Sequence, residues 1–128
     1  MHLNGLPIGY SDSDVHMESD IENVVKKNLE MIVLSILITQ PMCGKDIVKE
    51  VFKQYNVFIS QSSVYTILYS LKERSLLEAS TTKGDMRSKV YIPTEEGAEA
   101  INTMLKEFIS SVEYLLAVLK EYENNKKI

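Results

Sequence analysis

Gln61, Ser62, Tyr65, Thr66 and Tyr69 fall within one short segment, and Lys83, Arg87 and Lys89 follow it closely. Hydroxyl and carboxamide groups both donate and accept hydrogen bonds over short range, which suits base edges and phosphate oxygens. Lysine and arginine add the reach and charge that neutralise phosphates. The chemistry these residue types offer together is non-covalent recognition of double-stranded DNA. At 100° per residue, Ser62, Thr66 and Tyr69 oppose the apolar stripe Val64, Ile67, Leu68 and Leu71, with Gln61, Tyr65 and Ser70 at the margins. A solvated helix face ordinarily favours Glu, Lys and Arg, so an uncharged, hydroxyl-rich face points to contact with a ligand. The plainer readings are a Ser/Thr-rich helix start and basic residues that guard a hairpin edge against aggregation.

Covalent and metal chemistry find little support. His2 and His16 lie in the first residues of the chain, Cys43 is the lone cysteine, and no glycine-rich phosphate loop or nucleophile–base pair is present. One thiol falls short of a metal-ligand set, so neither a metal nor a cofactor is expected, and the chain is not read as an enzyme. Cys43 is read first as a tolerated or buried thiol and only second as a redox switch.

The elements that must hold these residues follow from apolar periodicity. With 128 residues, 45% apolar and 25% charged, the chain suits one domain with extensions. Residues 1–19, with Gly5, Pro7, Gly9 and Ser-Asp-Ser-Asp at 11–14, read as a flexible tail in which Met17 offers a second start. Ser19 or Asp20 is expected to cap a helix running to about Thr39, with Ile21, Val25, Leu29, Ile32 and Ile36 on its stripe. Met31 to Ile38 is apolar on nearly every side, which requires cover from several directions. After the Pro41–Gly44 turn, Ile47, Val48, Val51, Phe52 and Tyr55 share the face of a second helix. An extended Val57–Ile59 leads to Ser60, the cap of a third helix over 60–73. Leu76–Ser80 and Lys89–Pro93 read as paired strands with Leu77, Ala79, Val90 and Ile92 inward, joined by a basic loop over 81–89 in which Gly84 supplies a permissive backbone.

From Thr94, a cap followed by Glu95 and Glu96, a last helix is expected to run to 123, leaving 124–128 as a polar tail. Its residues Ile101, Leu105, Phe108, Val112, Leu115, Leu119 and Tyr122 recur at alternating steps of four and three, the seam of a coiled coil. Met104, Ile109, Leu116 and Val118 widen the stripe, so the helix is expected to pair with a second copy and also to meet the first helix. The fold class is therefore mainly α (α+β): a winged helix-turn-helix over 20–93, with recognition helix 60–73 and wing 81–89, and a long coiled-coil-like dimerisation helix.

Four segments carry a family resemblance: Leu29–Leu37, Pro41–Ile47, Ser63–Leu71 and Lys89–Gly97. Over roughly 25–122 the chain resembles the PadR family of prokaryotic transcriptional regulators, in its short form with one C-terminal helix. The resemblance implies a homodimeric repressor, and it implies an apolar effector space between subunits lined by Met104, Phe108 and Val112, residues given a packing role first. The chain departs from the family in having Lys45 in place of an aromatic, Ser70 in place of a late basic residue, and Asp85 at the first basic position of the wing. Weaker phosphate attraction is the expected consequence.

Together these readings predict a sequence-specific DNA-binding transcriptional regulator, a repressor that binds an inverted-repeat operator as a homodimer. A small apolar effector and a cytoplasmic, nucleoid-associated location are expected, with no membrane partner, since the longest apolar run is far too short to span a bilayer. The net charge of −4 argues against indiscriminate coating of nucleic acid. It also keeps open an alternative, a winged-helix protein-interaction or chromatin scaffold module.

Overall fold

The computed structural model describes residues 12–80 and 89–126. Five helices and a two-stranded sheet follow in the order α1 (Asp12–Lys27), α2 (Leu29–Thr39), α3 (Gly44–Tyr55), α4 (Gln61–Glu73), β1 (Leu77–Ser80), β2 (Val90–Pro93) and α5 (Glu95–Lys126). This is the mainly helical winged-helix architecture expected, with differences at its ends. The single helix predicted from Ser19 or Asp20 to Thr39 is two helices, and the first begins at Asp12. They part at Asn28, whose φ of −115° and ψ of 23° leave the helical region. Its side-chain Nδ2 donates to the Val24 carbonyl at 2.8 Å, so a short polar side chain competes for the backbone acceptor that a continuous helix would use. Asparagine at that position is visible in the sequence, but an unbroken apolar stripe across it conceals the break.

Helix α2 is the centre of the core. Val33, Leu34 and Leu37 are fully buried, and α2 packs on α3, α4, β2 and α5, which is why it is apolar all round. Helix α3 contributes Ile47 and Val51 to the core, while Phe52 and Tyr55 on the same predicted face remain exposed. Asn56 ends α3 in the left-handed conformation, φ 57°, a state that Asn tolerates. Val57 and Ile59 are buried and Phe58 between them is exposed, the alternation of an extended segment. Ser60 Oγ then accepts the Ser63 N–H at 3.1 Å and caps α4, which buries Val64, Leu68 and Leu71.

The end of α4 fixes both the sheet and α5. Ser75, at φ 62°, closes a turn in which the Leu76 N–H reaches the Leu71 carbonyl and the Ser75 N–H the Lys72 carbonyl. Thr94 is clamped onto this turn. Its N–H donates to Leu76 O at 3.0 Å, its Oγ1 donates to Ser75 O at 2.7 Å and accepts from the Gly97 N–H at 3.0 Å. The antiparallel register pairs Leu77 with Pro93 and Ala79 with Tyr91. Tyr91 is therefore the inward residue of β2 and Ile92 is exposed, opposite to the Val90 and Ile92 expected. The small Ala79 across from it leaves space for the ring, a pairing that apolar alternation within one strand does not reveal.

Candidate nucleic-acid interface

Helix α4 presents Gln61, Ser62, Thr66 and Tyr69 to solvent, opposite its buried Val64, Leu68 and Leu71. Tyr69 is 70% exposed. Thr66 Oγ1 donates to the Ser62 carbonyl at 2.9 Å. With its proton committed to the backbone, Thr66 offers outward only a lone pair and a methyl group, which suits an amino group or a thymine methyl and not a phosphate. Ser60 Oγ donates to Ser63 Oγ at 2.8 Å and lies 3.2 Å from Ser62 Oγ, so the start of the helix is a connected set of hydroxyls.

Tyr65 differs from its neighbours in being half-buried. Its ring lies over the first turn of α3, where a Cβ on Gly44 would come within 2.8 Å of two ring carbons and 3.1 Å of the hydroxyl oxygen. Gly44 therefore makes room for Tyr65. Behind it, burial pushes the phenol of Tyr91 above its ordinary value, and the neighbouring Tyr65 pushes it further the same way. The Tyr91 N–H donates to the Met42 carbonyl at 3.0 Å, which ties the wing strand to the turn before α3. Recognition helix, turn and wing strand thus meet around two tyrosines and a glycine. Sequence reasoning placed Tyr65 but missed Gly44 and Tyr91, because their partnership depends on residues far apart in the chain.

Lys89 sits half-buried at the foot of β2. Lys83 and Arg87, the other predicted wing residues, lie outside the described residues. On α5, Ile101 is only 3% exposed and belongs to the core of its own domain, unlike the seam position expected for it. Met104 and Leu105 are partly buried against that core. Beyond them Val112 is half-buried, and Phe108, Leu115, Leu119 and Tyr122 stand exposed with Ile109, Leu116 and Val118 beside them. The predicted effector residues Met104 and Phe108 line an open cleft of about 440 Å³ with Asn28, Glu30 and Met31; Val112 does not line it. Among the described residues no group of side chains is arranged to hold a metal ion, and no helix is long and apolar enough to cross a membrane.

Comparison with known proteins bears on this surface. The family model of the PadR-like transcriptional regulators matches residues 33–103, more than half of the chain. Among solved structures, a PadR family transcriptional regulator from Eggerthella lenta is similar with a TM-score of 0.70 at 22% identity, over 84% of this chain and 96% of that one. A transcriptional regulator from Clostridium thermocellum superimposes with a TM-score of 0.65 at 19% identity, over 73% and 94%. A PadR-like regulator from Bacillus cereus gives 0.64 at 20% identity, over 76% and 96%. A search of curated proteins found no match.

Proposed function

The chain belongs to the PadR-like family of transcriptional regulators, DNA-binding proteins, and on that basis we propose that it is a repressor that binds an inverted-repeat operator as a homodimer. The observation that carries the reading is the uncharged face of α4, where Gln61, Ser62, Thr66 and Tyr69 are all solvent-exposed. Tyr65 flanks this face, held by its packing over Gly44. Lys83, Arg87 and Lys89 supply phosphate contacts from the wing.

One such surface binds weakly, because the overall charge is −4 and the wing carries Asp85 among its bases. Affinity then depends on pairing. The exposed stripe of Phe108, Leu115, Leu119 and Tyr122 supports a seam between two copies of α5, with Val112 at its edge. Two recognition helices related by a two-fold axis would enter major grooves about 34 Å apart, one turn of DNA. A small apolar effector acting in the cleft between α2 and α5, beside Met104 and Phe108, would alter that spacing.

The test is binding of the purified protein to fragments upstream of its own gene, across a series of salt concentrations. A specific complex that weakens with salt is expected, and Lys83→Ala and Arg87→Ala each lower the slope by about one per subunit, about two for the dimer. No specific complex with any fragment even at low salt would leave the protein-interaction module as the better reading.

A further inference from the structure

Lys26 does not belong to the predicted interface or to the matched family segment, yet it stands next to both. It lines a cleft of about 630 Å³ together with Phe58, Ser60, Ser63, Thr66 and Ile67. Three of these are hydroxyl residues at the start of α4, and Thr66 is shared with the exposed recognition face. The last turn of α1 is anchored through Val25, which is 4% exposed in the core, and this sets the backbone of Lys26 beside the cleft. Its ammonium is paired with Glu22 at 2.7 Å, an exposed i, i+4 bridge with both side chains about half exposed (51% and 48%). Such a pair stabilises little and is readily exchanged for a stronger anion. Phe58, 74% exposed on the same cleft, lies beside the tilted Phe52 ring at 5.3 Å between centroids.

We propose that the DNA-binding surface continues from α4 onto this cleft, where Lys26 takes a backbone phosphate and Phe58 packs on the adjoining sugar, and that Glu22 holds Lys26 in its unbound state. The inference rests on the DNA-binding reading above. The chemistry divides cleanly between the two side chains. A phosphate contact by Lys26 releases counterions and appears in the salt dependence, whereas an apolar contact by Phe58 shifts affinity equally at all salt concentrations. Exchange of Glu22 for phosphate explains how an overall acidic protein reserves a cation beside its recognition helix.

The experiment measures binding of the full chain to the upstream fragment that the wild type retains, at several salt concentrations. Lys26→Ala is expected to reduce the salt slope by about two, one phosphate contact for each subunit of the dimer. Glu22→Gln is expected to tighten binding by up to about five-fold per subunit at low salt, the range an exposed ion pair commands. Phe58→Ala weakens binding at every salt concentration with the slope unchanged. Lys120→Ala, far along α5, serves as the charge control and leaves the slope as in the wild type. All four positions are exposed, so thermal melts should match the wild type and separate binding from folding. A wild type that binds specifically while Lys26→Ala keeps its full slope overturns the extension and leaves the DNA reading standing. A wild type that binds no fragment overturns both.

Discussion

At the scale of single residues, two glycines illustrate how the same small side chain serves stability in one place and the recognition surface in another. A Cβ at Gly97 would lie 2.0 Å from the Leu76 carbonyl oxygen, a backbone atom already committed to the Thr94 N–H. Backbone cannot yield there as a flexible side chain does, so Gly97→Ala should cost about 2–3 kcal/mol in urea unfolding. At Gly44 the obstacle is the end of the Tyr65 ring, which can rotate away. Gly44→Ala should leave the unfolding midpoint nearly unchanged but weaken operator binding; an equal loss in both measurements would show that the glycine serves packing alone. Tyr91 carries a pH signature. Its phenol is raised above 10.0 in the folded protein, chiefly by burial and secondly by Tyr65. The neutral form is thus favoured by folding, and this stability is fully present below pH 10 and lost as pH rises through the raised folded value. Unfolding curves taken from neutral to strongly alkaline pH should decline there, and Tyr91→Phe should flatten the decline.

Among the elements, α5 has two regimes. Its first turns are tied down by Thr94, Gly97 and Ile101, it lines the cleft with α2 as far as Ser111, and the remaining length to Lys126, about 23 Å at 1.5 Å per residue, carries an apolar stripe uncovered. An exposed stripe of that size on an isolated helix is a liability unless a partner covers it. Leu115→Glu places a carboxylate in the middle of the proposed seam, and sedimentation should show monomers that have lost operator affinity as well. A dimer retained by that variant would place the interface elsewhere. The Arg74–Glu30 bridge, with contacts of 2.9 and 3.3 Å, joins the end of α4 to the start of α2.

For the whole molecule, two-fold symmetry sets the geometry expected on DNA. A two-fold dimer built on α5 requires two half-sites with centres about one helical turn apart, and a footprint on genomic fragments should show two protected stretches of inverted sequence at that spacing. Protection of a single half-site by a dimer would mean that the second recognition helix faces away. The charge distribution fits specific reading in preference to indiscriminate coating: a net −4 overall, with bases concentrated beside the recognition helix and in the wing.

The sequence by itself determined the order of elements from the Pro41–Gly44 turn onward, the buried stripe of α4, the hydroxyl-rich face opposite it and the long apolar helix at the end, because each is a pattern written within one segment. Val64, Leu68 and Leu71 are buried where their spacing placed them, and the family follows from the same segments. What the tertiary structure alone decided is which residues meet across segments. Asn28 breaks a helix whose apolar stripe runs on without interruption, since a local hydrogen bond outweighs periodicity there. Tyr91 turns inward in place of Ile92 because the strand register sets it opposite Ala79. Ile101 is taken by its own core before any partner arrives. Tyr65 with Gly44, and Lys26 with Ser60 and Ser63, are neighbours only after folding, because contact depends on chain path and not on spacing along the chain.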